Sequence, residues 1–280
     1  MPINVTIAIP TKNAEKHLDD CLNSIPADFV KKIIVIDSIS VDNTRKIAQS
    51  HGVEVIEFQW NGRFPKKRNW FLQNHRISSE WVLFLDADEL LTPEFCHELR
   101  RTLPHTDKSG FWLNYSIHFL GRRLRGGYPL QKLALFRLGT GEYEKIDEYH
   151  WSNLDMEVHE HPVISGEIGE IRAKIDHCGS ESMFRYIEQH NEYSSWEATR
   201  IFKAQASTPG DQRWTWKQRV KAFLVESPVA GPLYFLGSYL FMGGFRDGVQ
   251  GLLFALMKGS YFTSVHCKLR ELRFNNLLRG

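Results

Sequence analysis

Cysteine is scarce and scattered in this chain. Its four cysteines, Cys21, Cys96, Cys178 and Cys267, form no Cys-x-x-Cys pair. That argues against a zinc site or a disulfide framework and fits a reducing compartment. A large excess of one sign of charge is also missing: the formal balance is +2, so nothing announces a nucleic acid partner. No apolar run reaches the ~20 residues that a membrane-spanning helix needs. The start, Met1-Pro2-Ile3-Asn4, lacks the basic and long apolar regions of a signal peptide. There is no Gly-x-Gly-x-x-Gly after the first apolar strand and no Walker loop, so neither a standard dinucleotide site nor a P-loop is supported. Repeats and low-complexity segments are absent. These absences leave an expected cytoplasmic protein with no nucleic acid partner, long enough at 280 residues to bury a large core.

What is present is organised around Trp81-Val82-Leu83-Phe84-Leu85-Asp86-Ala87-Asp88-Glu89. A short apolar run reads as a buried strand of a parallel sheet. Its carboxyl end, where open α/β sheets bind ligands, carries the acidic cluster. Asp86 and Asp88 suit a hard divalent cation such as Mg²⁺ or Mn²⁺. The plainer reading is an acidic turn capping the next helix, but Thr92-Pro93-Glu94 already supplies a cap.

The first hundred residues alternate strand and helix. Val5–Ile9, Ile33–Ile36, Val53–Phe58 and Trp81–Leu85 read as strands, with helices over Ala14–Ile25, after Ser40 or Asp42, and from Pro65 to about Ile77. This pattern implies a parallel sheet with helices on both faces. Right-handed crossovers then gather Thr11, Asn13, Glu15, Asp37, Ser40, Asp42, Asp86 and Asp88 on one rim, which can hold a nucleotide. In Lys66-Lys67-Arg68-Asn69, Lys67 or Arg68 either reaches donor phosphates or belongs to a solvated basic face.

Four stretches carry a family likeness: Ile9-Pro10-Thr11-Lys12-Asn13-Ala14-Glu15, Val35-Ile36-Asp37-Ser38-Ile39-Ser40-Val41-Asp42-Asn43-Thr44, Lys66-Lys67-Arg68-Asn69 and Leu85-Asp86-Ala87-Asp88-Glu89. In order and content the chain resembles the inverting family 2 glycosyltransferases of the GT-A fold, and most of all the lipopolysaccharide-core and exopolysaccharide branch. The likeness is strong over residues 3–95. It implies that Pro10, Thr11 and Asp37 line base and ribose, that Asp86 and Ala87 lie near the ribose and metal, and that Asp88 coordinates the metal bridging the donor diphosphate. Ile39 departs from the glycine usual in that branch. A β-branched residue disfavours positive φ, so a reshaped loop is expected there.

Residues 110–137 read as two strands flanking the basic loop Gly121–Tyr128, either an acceptor lid or a solvated hairpin tip. Beyond it lies Glu157-Val158-His159-Glu160-His161-Pro162. An inverting transferase needs a carboxylate base for the acceptor hydroxyl. The family resemblance places that role at His159-Glu160: Glu160 as base, Glu157 as runner-up, His159 in support. A strand through Ile171, Ala173 and Ile175 ends at His177, either a metal-side ligand or a satisfied strand-end histidine. Ser180 is expected to cap a long helix to about Gln205, and 207–211 reads as a linker.

The last third changes character. A basic, Trp-rich helix starts near Arg213, and two short apolar runs follow, interrupted by Gly243-Gly244-Phe245-Arg246-Asp247-Gly248. Helices lying on a membrane surface are one reading; a helical lid or subunit interface is the other.

The expected fold is α/β: a GT-A (Rossmann-like), mostly parallel sheet with helices on both faces, plus a C-terminal helical membrane-associating extension. The expected domains are 1–206, with a nucleotide-sugar half (1–100) and an acceptor half (101–206), and a helical extension, 207–280. The expected function is metal-dependent (Mn or Mg) inverting transfer from a nucleotide-diphosphate sugar to a lipid-linked or cell-surface glycan, in lipopolysaccharide or exopolysaccharide biosynthesis. The expected place is the inner face of the cytoplasmic membrane. The competing readings are a sugar-phosphate nucleotidyltransferase, which would want a Gly-rich basic loop where Pro10-Thr11-Lys12-Asn13 stands, and a non-catalytic membrane scaffold.

Overall fold

Val5, Ile7 and Ile9 alternate along the first strand with Ala8 on the opposite face, and both sets are buried. A strand buried on both faces must lie inside a sheet covered by helices on each side. The computed structural model describes residues 1–145, 154–157, 162–179, 182–206 and 224–277, which divide into two units.

The first unit comprises residues 1–117 and 130–178. Strands β1 (Ile3–Thr11), β2 (Val30–Asp37), β3 (Glu54–Glu57) and β4 (Trp81–Phe84) alternate with helices α1 (Leu18–Asn23), α2 (Thr44–Ser50) and α3 (Lys67–Asn74). Next come β5 (Glu89–Leu90) and α4 (Pro93–Thr102). Thr92 caps α4 by accepting the Phe95 N–H at 3.2 Å, with Pro93 in the first turn. The sheet runs β3-β2-β1-β4-β8-β6-β11-β5, using β6 (Gly110–Phe119), β8 (Leu130–Arg137) and β11 (Ile168–His177), while β9 (Gly141–Tyr143) and β10 (Pro162–Ile164) form a separate antiparallel pair. Its first four strands are mutually parallel. β8 enters antiparallel between β4 and β6, and β11 lies parallel to β6.

Two apolar layers sandwich this sheet. One packs Leu18, Cys21, Ala48, Phe95 and Leu99 from α1, α2 and α4 against Val5, Ile7 and Ile9. The other packs Phe71 of α3 with Ala8, Ile36, Val82 and Phe84. The expected mostly parallel sheet with helices on both faces is the one observed. The expected helix over Ala14–Ile25 is shorter, because residues 12–17 are spent on the loop that meets the one after β2.

The second unit comprises residues 118–129 and 179–280. It holds the ribbon of β7 (Arg122–Arg123) with the end of β6, then α5 (Met183–Ala206), α6 (Ala230–Leu236) and α7 (Gly248–Leu277). A π turn (Gly237–Phe241) and a 3-10 turn (Gly244–Asp247) join α6 to α7. No helix among the described residues is long and apolar enough to cross a membrane.

Candidate functional site

The parallel register aligns the carboxyl ends of β1, β2 and β4. Thr11 stands opposite Asp37, and Leu85 N–H donates to the Ala8 carbonyl, so the strand carries Asp86 to the same rim. The polar residues expected there form two linked groups.

The first group surrounds Asp37, which is fully buried. Its carboxylate accepts from the Thr11 hydroxyl (2.9 Å), the Ser40 backbone N–H (2.9 Å) and the Ser40 hydroxyl (2.5 Å). Around it the two loops are stitched together: Asn13 N–H donates to Ser40 Oγ, Val41 N–H to Asn13 Oδ1, and Asn43 N–H to Glu15. Asn13 and Glu15 thus position the rim by holding one loop to the other. Ile39 overturns the expectation of a reshaped loop. It takes φ +51°, in the left-handed region that glycine favours. Two of the three donors to buried Asp37 are Ser40's own, which fixes Ser40, and the residue before it must follow.

The second group surrounds Asp86. Arg68 donates to its Oδ1 at 2.7 Å and Lys132 to its Oδ2 at 2.6 Å. Lys132 also donates to Glu89 Oε1 at 2.6 Å, while Glu89 Oε2 accepts the Asp86 N–H at 3.0 Å. Burial alone would push the Asp86 carboxyl up, but Lys132 and then Arg68 hold it well below the carboxylate range. Glu89, wholly buried and beside Asp86 and Asp88, is pushed the other way despite Lys132. The reading of Lys67 and Arg68 as a solvated basic face does not hold: they are 1% and 8% exposed. Lys67 Nζ donates to the Thr11 carbonyl at 2.8 Å and lies 3.6 Å from Asp155.

Asp88 is not bonded to either of these cations. Its carboxylate is 3.7 Å from His177 Nδ1, and its carbonyl accepts the Cys178 N–H. Pairing of His177 with Glu89 across β11 and β5 brings the histidine there. Of the three expected metal groups, the fold brings Asp88 and His177 together and directs both Asp86 oxygens to cations. No cluster of three or more metal-ligating side chains occurs among the described residues. Mg²⁺ and Mn²⁺ sites commonly use one or two carboxylates plus substrate phosphates, so a hard ion fits Asp88 once a diphosphate supplies the remaining oxygens.

Glu157 is 1% exposed. Its two oxygens accept the Arg68 and Asn69 N–H groups, at 2.9 and 3.1 Å, and so close the start of α3. Arg68 also donates to the Glu157 carbonyl. His159 and Glu160 lie outside the described residues, as do His161, Ser180 and the start of the basic helix at Arg213.

Sequence reasoning missed Lys132, Asp155 and the part played by Glu89. Lys132 did leave a signal, as a lysine entering the apolar run Leu133-Ala134-Leu135-Phe136.

The model for "Glycosyl transferase family 2" matches residues 6–159. The SunS glycosyltransferase of Bacillus subtilis is 37% identical over 92 residues, which are 32% of this chain and 21% of SunS. The chain therefore matches about a fifth of that relative's length. The lipopolysaccharide core biosynthesis glycosyltransferase LpsC of Rhizobium meliloti is 26% identical over 89% of this chain and 85% of its own. Among solved structures, the mannosyltransferase PcManGT of Pyrobaculum calidifontis, in complex with GDP-Man and Mn²⁺, superposes with a TM-score of 0.54. It is 13% identical, over 96% of this chain and 87% of that one, and so shares the fold. The family model spans more than half of the chain and takes in both rim groups: the chain belongs to glycosyl transferase family 2.

Proposed function

We propose that the protein is a metal-dependent inverting glycosyltransferase, which moves a sugar from a nucleoside-diphosphate donor to a lipid-linked or cell-surface glycan. The observation that carries this reading is the division of acids on the rim. Asp37 is buried and fixed, Asp86 is neutralised by two cations, and Asp88 stands beside His177. A nucleoside needs a fixed wall such as the one that buried Asp37 holds through Thr11 and Ser40, and a diphosphate needs a cation.

In this reading Pro10, Thr11 and Asp37 receive the nucleoside. Asp86, held by Arg68 and Lys132, borders the ribose with Ala87. Asp88, with His177, would hold Mn²⁺ or Mg²⁺, which supplies charge stabilisation for the leaving diphosphate. Arg68 and Lys67 act from behind, fixing Asp86 and the Thr11 carbonyl. Glu160 takes the acceptor hydroxyl's proton as that oxygen attacks the anomeric carbon from the face opposite the diphosphate. The C–O bond to the diphosphate breaks in the same displacement, so configuration inverts. Glu157 is less suited to the base role, because both its oxygens already accept backbone N–H groups.

The likeness to LpsC supports a lipopolysaccharide-type acceptor, and PcManGT, bound to GDP-Man and Mn²⁺, supports a metal-assisted nucleotide sugar. We place the enzyme at the inner face of the cytoplasmic membrane, where a lipid-linked acceptor is met. Calorimetric titration of the purified chain with a panel of nucleotide sugars, with and without Mn²⁺, tests the donor half. Binding of one donor that weakens on chelation and in Asp88→Asn is expected. Equal binding without metal overturns the metal dependence. Proton NMR of the product tests inversion, and a retained anomeric configuration overturns the single displacement.

A further inference from the structure

The segment joining α6 to α7 has two opposite characters. Inside, it is packed backbone to backbone. A Cβ on Gly251 would fall on the Gly244 carbonyl oxygen, and one on Gly231 would fall on Thr263 Oγ1, with the Gly259 carbonyl 2.7 Å away. Small residues at such contacts let helices approach closely, as in helix pairs that face lipid. Outside, large apolar side chains stand in solvent. Phe241 is 87% exposed, Val249 66%, Phe245 55% and Leu240 51%. Leu233, Leu236 and Leu240 recur at helical spacing, as do Val249, Leu253 and Leu256. A hairpin that buries Gly231, Gly244, Gly251 and Gly259 and shows Phe241 and Phe245 around its turn is inverted there relative to a water-soluble one.

The charges are sorted to match. Between Glu226 and Glu271 the chain has one acid, Asp247. That acid is fully buried and accepts the Arg125 and Gly126 N–H groups at 2.8–3.0 Å. Its charge is thereby turned inward, and it holds the arginine loop against the hairpin turn, where Gly127 N–H also donates to the Met242 carbonyl. Arg122, Arg125 and Arg246 remain exposed.

We propose that this hairpin turn, with the arginine loop clamped to it by Asp247, is a membrane-docking element that enters the headgroup region of an anionic bilayer. It rests on the lipid-linked acceptor reading for its purpose and deepens it by naming the segment that meets the lipid. Phe241, Phe245 and Val249 supply the apolar insertion, and the exposed arginines supply attraction to anionic headgroups. Charge favours lipid over a second copy of the chain: a two-fold contact through this turn would set the arginines of one copy against those of the other.

The test uses the full chain and vesicles of phosphatidylglycerol and phosphatidylethanolamine, or of phosphatidylcholine alone. Co-flotation with anionic vesicles is expected, weakening with salt, with little binding to phosphatidylcholine. The triple variant F241S/F245S/V249S changes only exposed side chains, and vesicle affinity should fall by more than about 100-fold. Its circular dichroism should be unchanged. R246Q should lower affinity for anionic vesicles and flatten the salt dependence. Phe241→Trp should show a blue-shifted emission quenched by brominated lipid. Absence of flotation at low salt overturns the proposal, and so does equal flotation of the triple variant. A concentration-dependent dimer in sedimentation velocity, lost in the triple variant and without vesicle binding, would assign the face to a second copy instead. Hydrolysis of the nucleotide sugar in solution, measured in parallel, reports the catalytic reading alone. If it persists while flotation fails, docking is wrong and transfer stands.

Discussion

Replacing Glu157 and Glu160 separately by glutamine distinguishes a structural acid from a chemical one. At Glu157 the carboxylate accepts two backbone N–H groups at the start of α3, from Arg68 and Asn69. Glutamine keeps one carbonyl oxygen for one donor and turns its NH₂ toward the other. One buried N–H then loses its partner, at about 1–3 kcal/mol. The same helix carries Arg68 to Asp86, so loosening its start should weaken donor binding several-fold while leaving kcat within about tenfold. For a chain of this size, each kcal/mol should lower the unfolding midpoint by roughly 2–4 °C. Glu160→Gln should do the reverse: an unchanged midpoint and donor affinity, with kcat lower by ~10²–10⁴. Thermal unfolding, donor titration and steady-state kinetics on both variants give the pattern. A Glu157→Gln enzyme with native stability and a hundredfold loss in kcat, beside an active Glu160→Gln, would refute the reasoning and exchange the two roles.

Three other outcomes follow from the same geometry. Asp88→Asn should fold normally, since Asp88 is part of the rim, yet lose transfer by more than about a hundredfold; a Mn²⁺ titration that leaves wild type and variant alike would count against it. Ile39→Gly should raise stability by about 0.5–1 kcal/mol in urea unfolding, because release of the left-handed strain exceeds the entropic cost of glycine; a loss would mean that the loop gains more from the isoleucine than it stores. His190 is pushed down to about 4, by burial and then by Lys258, against an ordinary value of 6.5. The unfolded chain therefore takes up the proton first, so stability is complete above pH ~6.5 and lost as the pH falls through about 4. Between pH 7 and 5 the loss should be about 1–2 kcal/mol after allowing for partial exposure, and His190→Phe should remove that slope.

The sheet was legible because its strands announce themselves. Ile33–Ile36 and Trp81–Leu85 are short apolar runs closed by an aspartate, and such runs between helical spacings leave few arrangements. Asp37, Asp86 and Asp88 were legible for the same reason, since a strand end fixes where its next residue lies. Lys132 was not, because it reaches Asp86 from a strand 46 residues away in sequence, and no local periodicity encodes that approach. Glu157 was legible as an acid near the site but not as a cap, because α3 and its cap are 89 positions apart. Ile39 marks the opposite failure: the local rule against positive φ was sound, and the two hydrogen bonds that Ser40 gives Asp37 overrode it.

The run Asp86-Ala87-Asp88-Glu89 explains why these distant cations matter. Three carboxylates within four positions, with Glu89 wholly buried, could not all remain charged without partners. Arg68 and Lys132 meet that demand on one side only. They take both oxygens of Asp86 and one of Glu89, and Glu89 is pushed toward its neutral form. Of the three carboxylates in this run, Asp88 is the one that neither cation bonds, and it stands 3.7 Å from His177. One carboxylate and one imidazole are weak holders of a hard divalent ion by themselves. A diphosphate brings the missing oxygens and the missing negative charge together. On the proposed reading, Asp88 and His177 would hold the ion tightly only together with the donor's diphosphate.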